Sequence, residues 1–200
     1  MTGTTAERFG YTNYLICKQV LKLFGGAFRI YDPQGQLALF ADMKAFRLRE
    51  DIRLYTGEDK LVEALVIKAR QIIDFSAAYD VVDPTTGAKV GALKRKGWKS
   101  LLKDEWIIMD AQDKEIGFIK EDSAALAALR RVSSAIWMNL FPQKLHAEIE
   151  GRPVCTYQQN FNPFVLNLTV DFSPDFNHAF DRRLGLAAGV LLCAIEGRQG

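Results

Sequence analysis

The stretch DRRLGLAAGVLLCAIE, residues 181–196, constrains this 200-residue chain more than any other. From Leu184 to Ile195 every residue is apolar or glycine. A helix built from such a run has no polar stripe, so it must be enclosed on every side, by lipid or by protein. Length decides between the two. About twelve residues at 1.5 Å rise cover roughly 18 Å, against a hydrocarbon core of about 30 Å. Extension is blocked by Asp181, Arg182 and Arg183 before the run and by Glu196 and Arg198 after it. The spacing of Gly185 and Gly189 resembles a transmembrane dimerisation face. In a protein interior the same two glycines keep a helix thin, which would offset their cost of about 1 kcal/mol each. The rest of the chain therefore has to supply the enclosure.

That remainder reads as β. In 143–150, Leu145, Ala147 and Ile149 alternate with Lys144, His146 and Glu148. In 164–172, Phe164, Leu166, Leu168 and Val170 alternate with Val165, Asn167, Thr169 and Asp171. In 37–44, Leu37, Leu39, Ala41 and Met43 alternate with Ala38, Phe40, Asp42 and Lys44. Turn chemistry separates the runs: YDPQGQ at 31–36, VDPTTGAK at 82–89, DAQDKE at 110–115 and EGRP at 150–153. The pattern predicts twelve strands, at 11–18, 27–32, 36–44, 51–56, 64–70, 78–83, 88–94, 104–110, 115–121, 143–150, 153–160 and 164–171. One segment breaks it. SAALAALRRVSSAIWMNLF at 123–141 reads as helical turns after an Asp122 or Ser123 cap.

Twelve strands at about 4.8 Å spacing and a tilt near 40° close into a barrel roughly 24 Å across, too wide for side chains alone to fill. One slim apolar helix fits that space, as in barrels that enclose a central helix. The expected fold is mainly β: a closed twelve-stranded antiparallel β-barrel enclosing a hydrophobic C-terminal helix. Residues 1–200 form one domain, with strands over about 11–172, the insertion near 123–141 and the helix over about 178–196.

Composition narrows the class of function. Hydrophobic content of 48%, charge of 25% and a net charge of +2 are ordinary globular values and do not point to nucleic acid. Cys17, Cys155 and Cys193 are far apart in apolar runs, which reads as reduced thiols of a cytoplasmic protein. MTGTTAERFGYTNY has no apolar core, so no secretory signal is expected.

FRIYDPQG (28–35), Arg49-Glu50-Asp51, YDVVDPTTG (79–87), VGALKRKGWKSLLKDEW (90–106), IGFIKEDS (116–123), NPF (162–164) and the terminal DRRLGLAAGVLLCAIE occur in an order that resembles one family. From about Tyr14 to Glu196 the chain looks like the LURP-one-related and phospholipid scramblase branch of the tubby-like superfamily. The resemblance implies a twelve-stranded barrel around a hydrophobic C-terminal helix. It also implies an association with lipids or membranes. The chain has no cysteine cluster suited to palmitoylation, which argues against active scrambling.

The densest cationic cluster is Lys94, Arg95, Lys96 and Lys99, with Trp98 among them. Lys and Arg near an anionic surface gain about 1 kcal/mol each, and Trp favours the interface. In the 123–141 insertion, Val132, Ile136, Trp137, Leu140 and Phe141 fall at helical spacing beside Arg130 and Arg131, as on a basic amphipathic helix. The competing readings are a solvated strand end for the first and a cap over a barrel end for the second. Gly91 to Ser100 hints at a phosphate loop, but its glycine spacing is one residue too long. Asp171, Ser173, Asp175 and Asn177 imitate half of a calcium loop. Phe176 then stands where the loop needs Gly and Arg182 where it needs Glu, so a turn with a helix cap is the better account. His146 and His178 have no ligand spacing, and no nucleophile, metal or cofactor constellation appears. The expectation is a non-enzymatic domain, cytoplasmic or peripheral at the membrane, that binds an anionic phospholipid or membrane surface. The alternative is a soluble scaffold that binds another protein.

Overall fold

The computed structural model describes residues 4–19, 27–42, 51–70, 78–96, 105–121, 144–160 and 165–196. Twelve strands follow one another: β1 (Asn13–Gln19), β2 (Ala27–Tyr31), β3 (Leu37–Asp42), β4 (Ile52–Tyr55), β5 (Glu63–Ala69) and β6 (Ala78–Val82). The second half is β7 (Lys89–Arg95), β8 (Trp106–Met109), β9 (Glu115–Glu121), β10 (Lys144–Ile149), β11 (Arg152–Asn160) and β12 (Val165–Asp171). Each pairs antiparallel with its neighbour in sequence, and β12 pairs with β1 from Asn13↔Asp171 to Gln19↔Val165. The sheet is therefore a closed barrel without edges. A 3-10 turn (Glu7–Phe9) precedes β1, and helix α1 (Arg182–Glu196) follows β12.

Antiparallel order gives the barrel two unlike rims. The connections 32–36, 56–62, 83–88, 110–114 and 150–151 all fall at the rim where α1 begins, called the near rim. Those between β1 and β2, β3 and β4, and so on fall at the far rim, where α1 ends. Three of the near-rim turns share one device. Asp32 accepts N–H bonds from Gln34 and Gln36, Asp83 from Thr85 and Thr86, and Asp110 from Gln112 and Lys114. The positive-φ position late in these turns is held by Gly35, Gly87 and, without Cβ relief, Asp113. Just before each of the five turns the ladder slips by one residue, at Ile30/Tyr31, Leu54/Tyr55, Val81/Val82, Ile108/Met109 and Ala147/Glu148. Such bulges raise local twist and bend the strands.

Alternation sends one side-chain set inward in the described parts of 37–44, 143–150 and 164–172; Leu37 is half-buried, and Met43 and Phe164 lie outside the described residues. Leu39, Ala41, Leu145, Ala147, Ile149, Leu166, Leu168 and Val170 are all buried. Outer-face residues are buried too in places. Phe40 lies under the Arg29 guanidinium, and Ala92, Ile107 and Met109 form a small apolar cluster on the outside of β7 and β8. The helix runs down the barrel with every residue from Leu184 to Ala194 buried, closest to β7, β12, β1 and β6. Burying Leu184, Leu186, Val190, Leu191 and Leu192 contributes about 1.5–3 kcal/mol each. Among the described residues no helix is long and apolar enough to cross a membrane.

The helix starts at Arg182 rather than near 178. His178 has φ 51°, which no α-helix accommodates, and the backbone N–H groups of Ala179 and Phe180 bond to Asp175 instead. Asp181 is the cap: its carboxylate accepts the Arg183 N–H at 2.9 Å, and its carbonyl accepts the Gly185 N–H at 3.0 Å. The insertion expected at 123–141 lies outside the described residues.

Candidate functional site

Three of the cations singled out in the sequence stand at the far-rim end of β7, Lys94 and Arg95 within it and Lys96 just after it. Lys94 is opposite Ala78 and Ile107, so it shares the outer face, and it is half-buried. Arg95 is also half-buried and pairs with Trp106, a residue of the interior. Lys96 is exposed; its backbone N–H meets the Glu105 carbonyl at 2.9 Å and its Nζ lies 2.6 Å from Glu105 Oε1. That exposed pair is worth little as a stabiliser, and it lowers the net charge offered at this point. Trp98, Lys99, Arg130, Arg131 and Trp137 lie outside the described residues. Their connections, β7–β8 and β9–β10, both depart from the far rim. Nearby on β9, Lys120 stands 4.4 Å from the centre of the Phe118 ring and 3.7 Å from Glu148.

The same rim holds a cation that the sequence reading passed over. Lys18 follows Tyr14 and Ile16 in the inward phase of β1 and is buried. Its Nζ donates to the Cys193 carbonyl at 3.1 Å and lies 5.7 Å from the Phe28 ring centre. A cation here meets the negative end of the helix dipole and satisfies a carbonyl of its last turn. The signal was available: Lys18 sits where alternation requires an inward residue.

At the near rim the calcium-like segment is occupied by the protein's own donors. Asp171 Oδ1 accepts the Ser173 N–H at 2.7 Å and its hydroxyl at 2.5 Å. Asp175 is buried and accepts the N–H groups of Ala179 and Phe180 and Nη1 of Arg182 at 3.1 Å. The Arg182 side chain thus supplies the positive charge beside Asp175. It also covers the Phe172 ring at 4.4 Å. Arg183 joins Asp181 to Asp83 of the β6–β7 turn, fixing the helix start to the wall. Among the described residues no group of three His, Cys, Asp or Glu side chains could hold a metal ion. His178 is exposed, and His146 Nε2 lies 3.1 Å from Glu148 Oε1.

Tyr157 donates its hydroxyl to the Gly185 carbonyl at 3.1 Å, and burial pushes its pKa well up. Burial likewise pushes Tyr14 up to about 12 and raises the thiols of Cys17 and Cys155. None of the three cysteines is in a disulfide, and the raised values keep Cys17 and Cys155 as thiols rather than nucleophilic thiolates at neutral pH.

No family model matches the chain, and no curated protein or solved structure matches it.

Proposed function

We propose that this protein is a non-enzymatic, peripheral lipid-binding barrel of the LURP-one-related and scramblase type, which attaches to anionic membrane surfaces through its far rim. The observation that carries the reading is the sorting of charge by topology. Lys94, Arg95 and Lys96 stand at the far-rim end of β7, and the connections that carry Lys99, Arg130 and Arg131 in sequence leave the wall at that rim. In sequence, the far-rim connections also carry Lys22, Lys44, Arg47, Arg49, Arg70 and Lys103, against Glu50, Asp51, Asp74, Asp104, Glu105 and Asp122. The near-rim turns hold Asp32, Glu58, Asp59, Asp83, Asp110, Asp113 and Glu150 against Lys60 and Lys114. In a chain of net charge +2, that division makes the far rim the cationic end and orients the barrel against a negative surface.

With Lys96 offset by Glu105, the other three cations at 94–99 gain roughly 3 kcal/mol at an anionic surface, which corresponds to an affinity of several millimolar. Stable attachment then takes a second contact, for which Trp137 and its neighbouring arginines are the candidates. The test is vesicle flotation. Wild type floats with phosphatidylserine- or phosphoinositide-containing vesicles at low salt and not with neutral ones. The attraction fades as salt shortens the screening length to about 8 Å. Changing Lys94, Lys96 and Lys99 together to Gln abolishes flotation and leaves the melting temperature in place. If wild type ignores anionic vesicles even at low salt, the lipid reading falls.

A further inference from the structure

The loop from β12 into the helix carries three phenylalanines at four-residue spacing, and they go to opposite places. Phe172 and Phe180 are 1% and 2% exposed, with ring centres 6.0 Å apart, and they close the near rim together with Tyr14. Phe176 lies between them in sequence and is 88% exposed. The loop fixes that position. Asp175, the residue before it, is buried and holds Ala179, Phe180 and Arg182; the Phe176 N–H bonds to the Pro174 carbonyl at 3.1 Å; and the His178 N–H bonds to the Asp175 carbonyl. An apolar ring presented on a tied-down tip has little conformational freedom left to lose on binding, and apolar area to gain.

A second apolar tip stands on the same rim: Leu61, 82% exposed, with Val62 in the β4–β5 turn. The near-rim turns are the acidic ones: Glu58, Asp83 and Asp113 already face Arg29, Arg183 and the pair Arg70 and Lys89, and Asp59, Asp110 and Glu150 are the carboxylates a partner's cations would meet. We infer that the near rim is a docking surface for a basic segment of another protein, with Phe176 as the apolar anchor and the turn carboxylates facing Lys and Arg of the partner. Charge complementarity selects that occupant. An anionic bilayer is repelled by the same carboxylates, and two separate apolar tips do not make a continuous membrane-facing patch. The inference stands on the near rim alone and does not depend on the lipid reading of the far rim.

The test uses the full chain and three short fluorescent peptides: one with Lys and Arg around two leucines, one with Glu at the cationic positions, and one with Ser for the leucines. Anisotropy titration at low salt should show saturable binding of the first peptide alone, lost as salt is raised. Phe176→Ser should weaken it by about tenfold or more, the scale of one buried aromatic side chain. Leu61→Ser gives a second reading at the other tip. Both side chains are exposed, so both variants should melt as wild type does. Equal affinity of wild type and Phe176→Ser, or no binding of the cationic apolar peptide, overturns the inference. So does flotation with neutral vesicles that Phe176→Ser abolishes, which would give the rim to a bilayer. Concentration-dependent sedimentation that the same variant abolishes would give it to a second copy of this chain, with the same consequence.

Discussion

Gly185 and Gly189 lie one turn apart in the same buried helix, yet adding one methyl group to each should have different consequences. A Cβ at Gly185 falls 2.4 Å from Cε1 and 2.5 Å from Cζ of Phe172, and 3.1 Å from Cε1 of Phe180. Carbon atoms pack at about 3.5–4.0 Å, so the ring has to retreat by roughly 1 Å. It has nowhere obvious to go: Tyr14 meets it edge-on with centres 6.2 Å apart, Phe180 packs at 6.0 Å and the Arg182 guanidinium covers it at 4.4 Å. A Cβ at Gly189 meets Ile16 Cδ1 at 2.7 Å and Val170 Cγ2 at 3.2 Å. The nearer of these is the tip of a flexible side chain. Gly→Ala gains about 1 kcal/mol of helix propensity at either position, and overpacking costs about 1–3 kcal/mol.

The balance predicts that Gly185→Ala destabilises by about 1–2 kcal/mol, while Gly189→Ala stays within about 1 kcal/mol of wild type. For a domain of this size each kcal/mol moves the melting temperature by roughly 2–4 °C. Gly189→Leu, which adds a whole branched side chain, should be severely destabilising. Urea denaturation with thermal melts measures all three, and Phe172→Leu in the Gly185→Ala background should recover part of the loss. A Gly185→Ala variant as stable as wild type, or less affected than Gly189→Ala, would refute the account of how the helix is gripped.

Other parts of the fold make their own predictions. The β3–β4 ladder pairs only Phe40↔Tyr55 and Ala41↔Leu54, and Arg8 bridges its open near-rim end by donating to the carbonyls of Leu37, Ala38 and Thr56. Arg8→Ala should cost about 2–3 kcal/mol, and an unchanged denaturation midpoint would show that the bridge does not matter. Burial alone would push the Asp80 carboxyl up, but hydrogen bonds from Arg70 and Lys89 outweigh it and hold the pKa below the usual aspartate value. A depressed folded-state pKa adds stability that is present above the unfolded value, near pH 4, and is lost as pH falls through the folded value. Asp80→Asn should therefore flatten the acid limb of the stability profile; a limb parallel to wild type would sink the assignment. Calcium should leave the melting temperature unchanged, and a saturable rise at micromolar calcium would contradict the occupied carboxylates of 171–181.

The barrel was readable because its strands obey a period of two and its turns carry Asp and Gly at fixed places. Every strand begins and ends within two residues of its expected position. The devices that close the near rim were not readable. A bulge at Val81/Val82 or Ala147/Glu148 has no sequence signature of its own, because the extra residue is set by twist across the whole sheet. Arg8 lies outside every strand, and its partners are carbonyls 29 to 48 residues away. Phe176 shares its residue type and spacing with Phe172 and Phe180; only the way Asp175 ties the loop separates them. The helix start was placed too early because residues 178–181 look helix-compatible until the buried Asp175 claims the N–H groups of Ala179 and Phe180. Of the eight candidate residues, Lys94 and Arg95 end β7 and Lys96 follows it, while the other five lie outside the described residues.

Closure with an even number of strands in simple sequence order has a further consequence. Each connection is assigned to a rim by parity alone, so between β7 and β8 and between β9 and β10 the chain leaves and re-enters the wall at the far rim. The near rim is the constrained end: it holds the helix cap at Asp181, the Arg183 tie to Asp83, the aromatic packing of Tyr14, Phe172 and Phe180, and five bulged hairpins with short turns. The far rim receives the helix C-terminus, whose carbonyl at Cys193 is met by Lys18 from the wall. A scaffold that fixes one end and admits length and charge at the other is suited to carrying recognition on connections held by a rigid sheet. The division also separates the two proposed surfaces physically. Charge changes at 94–99 should leave peptide binding at Phe176 intact, and Phe176→Ser should leave vesicle flotation intact. Loss of both activities in either variant would mean that the rims do not act independently.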